Sequence, residues 1–90
     1  MFSNQLLNDQ VILITGASRG IGREVAYTCA QAGALVIVSA RTQLGYESVV
    51  QEIRERGGRA EGVSLDVTLQ ESVKRAVVEI IERHQRIDGL

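Results

Sequence analysis

The sequence predicts an α/β fold, a doubly wound parallel sheet with the order β-α-β-α-β-α followed by the start of a fourth strand. Short apolar runs such as Val11–Ile14 are β-branched and almost uninterrupted, as is typical of strands buried on both faces. These runs alternate with longer segments of helical periodicity, which indicates parallel β-α-β units with right-handed crossovers. The expected sheet order is 3-2-1, with the fourth strand beside the first.

The first half of the chain predicts two strands around one helix. A strand is expected over about 11–15 and a buried second strand over 34–39. Between them a helix is expected over about 20–32, and Gly33 stands where a helix C-terminal glycine belongs. The apolar stripe predicted for this helix consists of Ile21, Val25, Cys29 and Ala32.

The second half predicts two helices, a third strand and the start of a fourth. A second helix is expected to end at Gly57 and Gly58. It contains Gly45, which has a low helix propensity. Its apolar residues are Leu44, Val49, Val50 and Ile53. A third strand follows over about 60–65. Thr68 and Glu71 have the spacing of a capping box that opens a third helix. That helix carries on one side Val73, Val77, Ile80, Ile81 and His84.

Size and composition place these 90 residues in one domain, 1–90. The formal net charge is −1, from 10 basic and 11 acidic residues, which argues against nucleic-acid or anionic-membrane binding. One cysteine makes no internal disulfide, and no cluster of cysteine and histidine indicates a metal. Because the N-terminal residues show neither a signal peptide nor a long apolar stretch, we expect a cytoplasmic protein.

The turn between the first strand and the first helix carries the motif T-G-x-x-x-G-x-G, from Thr15 to Gly22. A helix N-terminus at such a turn presents backbone amides to a phosphate. Gly16 suits a tight turn, Gly20 lets the backbone approach a diphosphate, and Gly22 allows close packing of helix and strand. The alternative is a glycine-rich turn that binds no ligand.

This motif resembles the cofactor signature of the short-chain dehydrogenase/reductase family. Leu65–Thr68 is similar to the family's aspartate segment at a strand end, and Ile87–Leu90 resembles the lead-in to its fourth strand. The resemblance extends from about Asp9 to Leu90. It implies a Rossmann-type domain that binds a nicotinamide dinucleotide, and hydride transfer between that cofactor and a carbonyl or alcohol.

The residues after the second strand favour NADP over NAD. An acidic residue at the strand end would bind both ribose hydroxyls of NAD, but Ala40 occupies that position and Arg41 follows. Arg41 and Arg19 suit a 2′-phosphate because arginine forms bidentate bonds to phosphate oxygens. Ser39 and Ser18 are candidates for hydroxyl contacts near the ribose. The alternative is two solvated surface arginines.

Four further residues are expected near the cofactor. The resemblance implies that the Asp66 carboxylate accepts a hydrogen bond from the exocyclic amine of adenine, with the Val67 backbone alongside. The alternative for Asp66 is a turn aspartate that binds its own backbone. Thr15 is expected to fix the turn, and Ile21 to be both a core residue and a backbone neighbour of the diphosphate.

In the family that the chain resembles, a serine and a Tyr-x-x-x-Lys pair catalyse the reaction. The 90 residues contain no Tyr-x-x-x-Lys pair, and none of their serines can be assigned the catalytic role. We therefore expect the chain to be the N-terminal cofactor-binding part of an oligomeric enzyme, either a fragment or a truncated product. By itself it should be inactive, and it should be unstable or self-associating. The parent's substrate would be a small carbonyl compound: a 3-oxoacyl-carrier-protein-reductase-like activity is one candidate, and sugar, steroid or xenobiotic carbonyls are others. A stand-alone nucleotide-binding or interaction module without catalysis, or a remnant without a ligand, remains the alternative.

Overall fold

The computed structural model describes residues 7–16 and 20–89, and these residues alternate strands with helices as predicted. The elements in chain order are β1 Val11–Ile14, α1 Gly20–Gln31, β2 Leu35–Ala40, α2 Gln43–Glu55, β3 Arg59–Ser64 and α3 Gln70–His84. The observed boundaries differ from the predicted ones by one residue at several ends, where local hydrogen bonding decides the last residue. The predicted C-terminal glycine of α1 is confirmed, since Gly33 has a φ of 99°.

The three strands form a parallel sheet in which β2 lies between β1 and β3, and the predicted order is confirmed. The segment after α3 returns to the free side of β1, where Gly89 forms a parallel bridge with Ile12. The Leu13 amide donates to the Gly89 carbonyl over 3.0 Å, and the Asp88 amide donates to the Val11 carbonyl over 2.7 Å. The fourth strand therefore begins beside β1, as the sheet order requires.

Helices cover both faces of this sheet. On one face α1 and α2 pack against alternate strand residues, such as Val36 and Val38, and the fully buried Ile53 of α2 belongs to this core. On the other face Ala76 and Ile80 of α3 pack against the intervening residues, including Leu13 and Ile37. Because each strand alternates its side chains between two covered faces, both sets of positions are apolar.

The predicted apolar stripe of α1 is half correct, because Ala32 is buried and Cys29 packs against the core, whereas Ile21 and Val25 do not. The buried residues of this helix are Ala26, Tyr27 and Ala30, whereas Ile21 is 84% exposed and Val25 is 41% exposed. Small side chains at two of these positions let α1 lie close to the sheet, and tertiary packing therefore selects a face other than that of the larger aliphatic residues. The expectation that Ile21 is a core residue is accordingly wrong.

The predicted capping box before α3 is also wrong. The residue at the N-cap is Leu69, which forms no side-chain cap, and α3 begins one residue later at Gln70. The Thr68 hydroxyl instead donates to Asp66 Oδ1 over 2.6 Å. The bond to Asp66, two residues earlier, is an alternative to capping the helix, and it is the bond that forms in this structure. Leu44, one of the residues predicted to mark α2, lies in that helix but is 84% exposed.

A polar cluster joins α1 to α2 beside the core. The buried hydroxyl of Tyr27 hydrogen-bonds to Glu52, which also accepts from Arg23 over 2.9 Å and from Arg56 over 2.7 Å. Both guanidinium groups lie about 5 Å from the Tyr27 ring centroid, within the range of cation–π attraction. The hydrogen bonds from Tyr27 and Arg23 lower the pKa of Glu52. This cluster fixes the relative position of the two helices that begin at the carboxyl edge of the sheet.

Candidate functional site

The two described glycines before α1 and at its start have a backbone conformation that favours glycine. Gly16 and Gly20 have φ values of 64° and 65°, a conformation that side chains disfavour. A β-carbon added to either glycine would meet nothing within 4 Å among the described residues. The backbone path therefore favours glycine at both positions, and no described residue fills the space beside them. Gly22 lies in the first turn of α1. Ser18 and Arg19, both predicted site residues, lie outside the described residues.

The carboxyl ends of the three strands surround a cavity of about 440 Å³. Residues at the end of β2 and after each of the three strands line it, and most of them are predicted site residues: Gly16, Ser39, Ala40, Arg41, Leu65, Asp66, Val67 and Thr68. Thr15 is exposed in the turn next to Gly16. This edge of a parallel sheet is where ligands of doubly wound folds bind. We call this space the edge cavity.

Ser39 lines the edge cavity, but its hydroxyl has a structural partner. Its side chain is 1% exposed, and Oγ donates to the carbonyl oxygen of Ile14 over 3.0 Å. This bond joins the ends of β1 and β2 and satisfies a polar group that would otherwise be buried without a partner. The predicted contact of Ser39 with the ribose stays a prediction, in which Oγ would accept a hydrogen bond because its proton is used by the Ile14 carbonyl.

Gly45 determines how closely α2 approaches the end of β2, a role that the sequence analysis did not predict. Gly45 looked like a simple loss of helix propensity, yet a β-carbon there would lie 2.8 Å from the β-carbon of Ala40. Gly45 thus lets the first turn of α2 approach the end of β2 closely. The signal was available in the sequence, because a glycine inside a helix commonly marks a close approach. Arg41 follows Ala40 and is exposed at the mouth of the edge cavity.

Asp66 occupies the turn after β3 with both its backbone and its carboxylate fixed. Its amide donates to Ser72 Oγ over 2.9 Å, and its Oδ1 accepts from the Thr68 amide over 3.0 Å and from the Thr68 hydroxyl. These two bonds from Thr68 lower the pKa of Asp66, and the nearby Arg41 guanidinium lowers it further. The carboxylate is therefore ionised at neutral pH and accepts hydrogen bonds only.

A second groove, outside the edge cavity, runs along the exposed stripe of α1. Its volume is about 570 Å³, and Ile21, Val25 and Cys29 contribute apolar surface. Burial raises the pKa of the Cys29 thiol, as expected for a cysteine that acts as a small apolar residue. Ile21 therefore lies beside the glycine-rich turn with its side chain in this second groove.

The described residues offer neither a metal-binding cluster nor a membrane-spanning helix. Residues 7–16 and 20–89 contain no group of three or more histidine, cysteine, aspartate or glutamate side chains arranged to hold a metal ion. None of the helices in this part of the chain is both long and apolar enough to cross a membrane.

A three-stranded parallel sheet with helices on both faces and a glycine-rich turn after β1 defines a Rossmann-type α/β domain. The family model for short chain dehydrogenases matches residues 10–90. The chain belongs to the short-chain dehydrogenase family. It spans about a third of the length of the curated relatives that it matches, 33% in the first of them.

Individual relatives agree with this assignment. An A-factor type γ-butyrolactone 1′-reductase of Streptomyces virginiae is 45% identical over 84 residues, which are 93% of this chain and 33% of the reductase. A 3-oxoacyl-(acyl-carrier-protein) reductase of Pseudomonas aeruginosa is 40% identical over 78 residues, 87% of this chain and 31% of that enzyme. The crystal structure of a metagenomic short-chain oxidoreductase in complex with NADP superposes with a TM-score of 0.90 at 34% identity, covering 93% of this chain and 38% of that one.

The described residues fit a nicotinamide dinucleotide. No described residue fills the space beside Gly16 and Gly20 at the N-terminus of α1, where a diphosphate would find backbone amides. The edge cavity adds a cationic side chain, Arg41, and an anionic acceptor, Asp66, at separate strand ends. A ligand with both an anionic group and a hydrogen-bond donor suits this pair, and a nicotinamide dinucleotide has both.

Proposed function

We propose that this chain is the NADP(H)-binding portion of an oxidoreductase that transfers hydride between NADPH and a carbonyl or alcohol substrate. The observation that carries the proposal is the convergence of three strand ends on the edge cavity. Six predicted cofactor-binding residues line it: Gly16, Ser39, Ala40, Arg41, Asp66 and Val67.

Each part of the edge cavity has a proposed task. The turn at Gly16 and Gly20 admits the diphosphate to the backbone amides of α1. Arg41 reads the 2′-phosphate, with Arg19 as a second reader predicted from the sequence. Asp66 accepts from the adenine amine, and Val67, 62% exposed, offers apolar surface beside it. When bound, the cofactor supplies the hydride, and the protein supplies binding and orientation.

The preference for NADPH rests on the end of β2. Ala40 offers no carboxylate to bind the two ribose hydroxyls of NADH or to repel a 2′-phosphate, and Arg41 provides a cation next to it. The relative with an NADP complex supports the same cofactor. The coarser conclusion, a nicotinamide dinucleotide, follows from the family, whereas the choice of NADPH is our proposal.

The chemistry of the reaction is proposed for the whole protein. Among these 90 residues no tyrosine is followed by lysine at the spacing that the family resemblance requires: Tyr27 precedes Gln31 by four residues, and Tyr46 precedes Val50. These residues therefore bind the cofactor without a proton donor of that kind. Two of the relatives are named as a 1′-reductase of A-factor type γ-butyrolactones and as a 3-oxoacyl-(acyl-carrier-protein) reductase. We propose a small carbonyl compound of this general class as the substrate.

The chain should bind NADPH more tightly than NADH and should not oxidise it in the presence of ketones. Calorimetric titration measures both dissociation constants, and absorbance of the reduced nicotinamide measures turnover. Arg75→Ala, on the exposed surface of α3, is the matched control and should bind NADPH like the unchanged chain. Absence of NADPH binding would contradict the proposed function. Ketone-dependent oxidation that persists after repurification would contradict the assignment of binding without catalysis.

A further inference from the structure

We propose that Thr68 is a positioning residue that holds the Asp66 carboxylate in the orientation that recognises the amine of adenine. This inference rests on the proposed function, because it concerns the adenine end of the same edge cavity. It gives a task to the residue whose predicted role as a helix cap proved wrong. Thr68 acts through Asp66 and makes no contact with the reacting part of the cofactor.

One oxygen of the Asp66 carboxylate, Oδ1, accepts the hydrogen bonds from described residues. Oδ1 accepts from the Thr68 amide over 3.0 Å and from the Thr68 hydroxyl over 2.6 Å. Within the described part of the chain, Oδ2 takes part in no protein hydrogen bond. The Asp66 amide is bound in turn by Ser72 Oγ, at 2.9 Å, so the backbone that carries the carboxylate is fixed to the first turn of α3. A rigid acceptor therefore faces the edge cavity with one oxygen available to a donor.

The chemistry selects an amine rather than a second anion or a carbonyl. An ionised carboxylate has only acceptor atoms, so a donor on the ligand completes the set. Val67 lies between Asp66 and Thr68, and its exposed apolar side chain lines the edge cavity beside them. A flat heterocycle that bears an exocyclic amine satisfies both surfaces. A heterocycle with a carbonyl in place of that amine would set two acceptors against each other.

Arg41 is the charged group outside the turn that acts on the Asp66 carboxylate. Arg41 lies near enough to lower the pKa of Asp66, although the two side chains form no ion pair within 4.0 Å among the described residues. Loss of the hydroxyl bond frees the carboxylate to rotate about its side-chain torsions, and one accessible partner is then Arg41. A carboxylate that rotates in this way loses its alignment with the adenine amine.

The test compares NADPH with the reduced hypoxanthine analogue, in which a carbonyl replaces the adenine amine and the phosphates are unchanged. The unchanged chain should bind NADPH about ten- to a hundredfold more tightly than the analogue. Thr68→Val removes the hydroxyl but retains the shape and the backbone amide, and should lower that ratio about three- to tenfold. Thr68→Ser restores the hydroxyl and should restore the ratio.

The outcomes separate this inference from the proposed function. If Asp66→Asn abolishes the ratio while Thr68→Val leaves it unchanged, Asp66 reads adenine and the positioning role of Thr68 is wrong. If Thr68→Val weakens both ligands equally, with a lower melting temperature, Thr68 only stabilises the turn and the inference is again wrong. If the unchanged chain binds NADPH but does not distinguish it from the analogue, the adenine contact fails and the inference fails with it. Absence of NADPH binding overturns the proposed function itself.

Discussion

Arg41→Ala should weaken NADPH binding by roughly ten- to a hundredfold and leave NADH binding almost unchanged. A hydrogen bond to a charged group contributes about 1.5–3 kcal/mol, and each tenfold change in affinity corresponds to about 1.4 kcal/mol. Arg41 is exposed, so water screens its charge and favours the lower end of this range. NADH lacks the 2′-phosphate, so its binding does not depend on a hydrogen bond from Arg41. The measurement is the dissociation constant of each cofactor.

Ala40→Asp should change the cofactor preference further in the same direction. Its carboxylate would repel the 2′-phosphate and offer acceptors to the ribose hydroxyls of NADH. Gly45 lies against the Ala40 side chain, so the new carboxylate would also lie near the N-terminus of α2, where the helix dipole favours an anion.

For the Arg41→Ala prediction, Arg75→Ala serves as the control for loss of an arginine. Equal weakening of NADH and NADPH by Arg41→Ala would show that Arg41 does not read the phosphate.

Gly62→Ala should destabilise the chain by about 1–3 kcal/mol, as is usual when an atom is forced into a packed site. A β-carbon at Gly62, in β3, would lie 1.9 Å from Cε1 and 2.1 Å from Cδ1 of the Tyr46 ring. The half-buried ring on α2 has to move away, which removes its contacts with the core. For a domain of this size each kcal/mol lowers the melting temperature by about 4–8 °C. Thermal and urea unfolding measure the effect.

A matched background separates the collision from any general effect of the substitution. Gly62 has no positive φ, so alanine fits its backbone, and alanine restricts the unfolded chain more than glycine does. With Tyr46→Ala already present, Gly62→Ala should therefore be neutral or stabilising by about 0.4–1 kcal/mol. The change of sign between the two backgrounds is the expected result. A loss of the same size in both backgrounds would rule out the collision with Tyr46 as the cause.

The fold was predictable because strand periodicity and glycine positions depend on short-range constraints. The alternation of strands and helices and the turn at Gly33 follow from local patterns, the parallel strand order follows from the rules for doubly wound folds, and all are confirmed. The buried residues of α2 were also predicted in part, since Val49, Val50 and Ile53 lie in its core face while Leu44 does not. Local pattern was therefore sufficient for the order and identity of the elements.

The errors arose where two local or tertiary options compete. Ile21 is more apolar than Ala26, yet α1 buries the smaller residue because the helix lies close to the sheet. Thr68 can cap a helix or bind Asp66, and the sequence does not show which bond is stronger in the folded turn. Ser39 lines the edge cavity, and the bond from its hydroxyl to the Ile14 carbonyl was not foreseen, whereas its contact with a ribose stays a prediction. Such assignments depend on distances between elements that are far apart in sequence.

The central claim is that the edge cavity binds NADPH, and the most direct test maps the ligand onto the backbone. In ¹⁵N-labelled chain titrated with NADPH, the amide resonances of Gly16, Gly20, Arg41 and Val67 should shift in a saturable manner. Amides at the opposite end of the sheet, such as those of Gly58 and Arg59, should remain unchanged. Shifts confined to residues outside the edge cavity, or no saturable shift at millimolar NADPH, would contradict the claim.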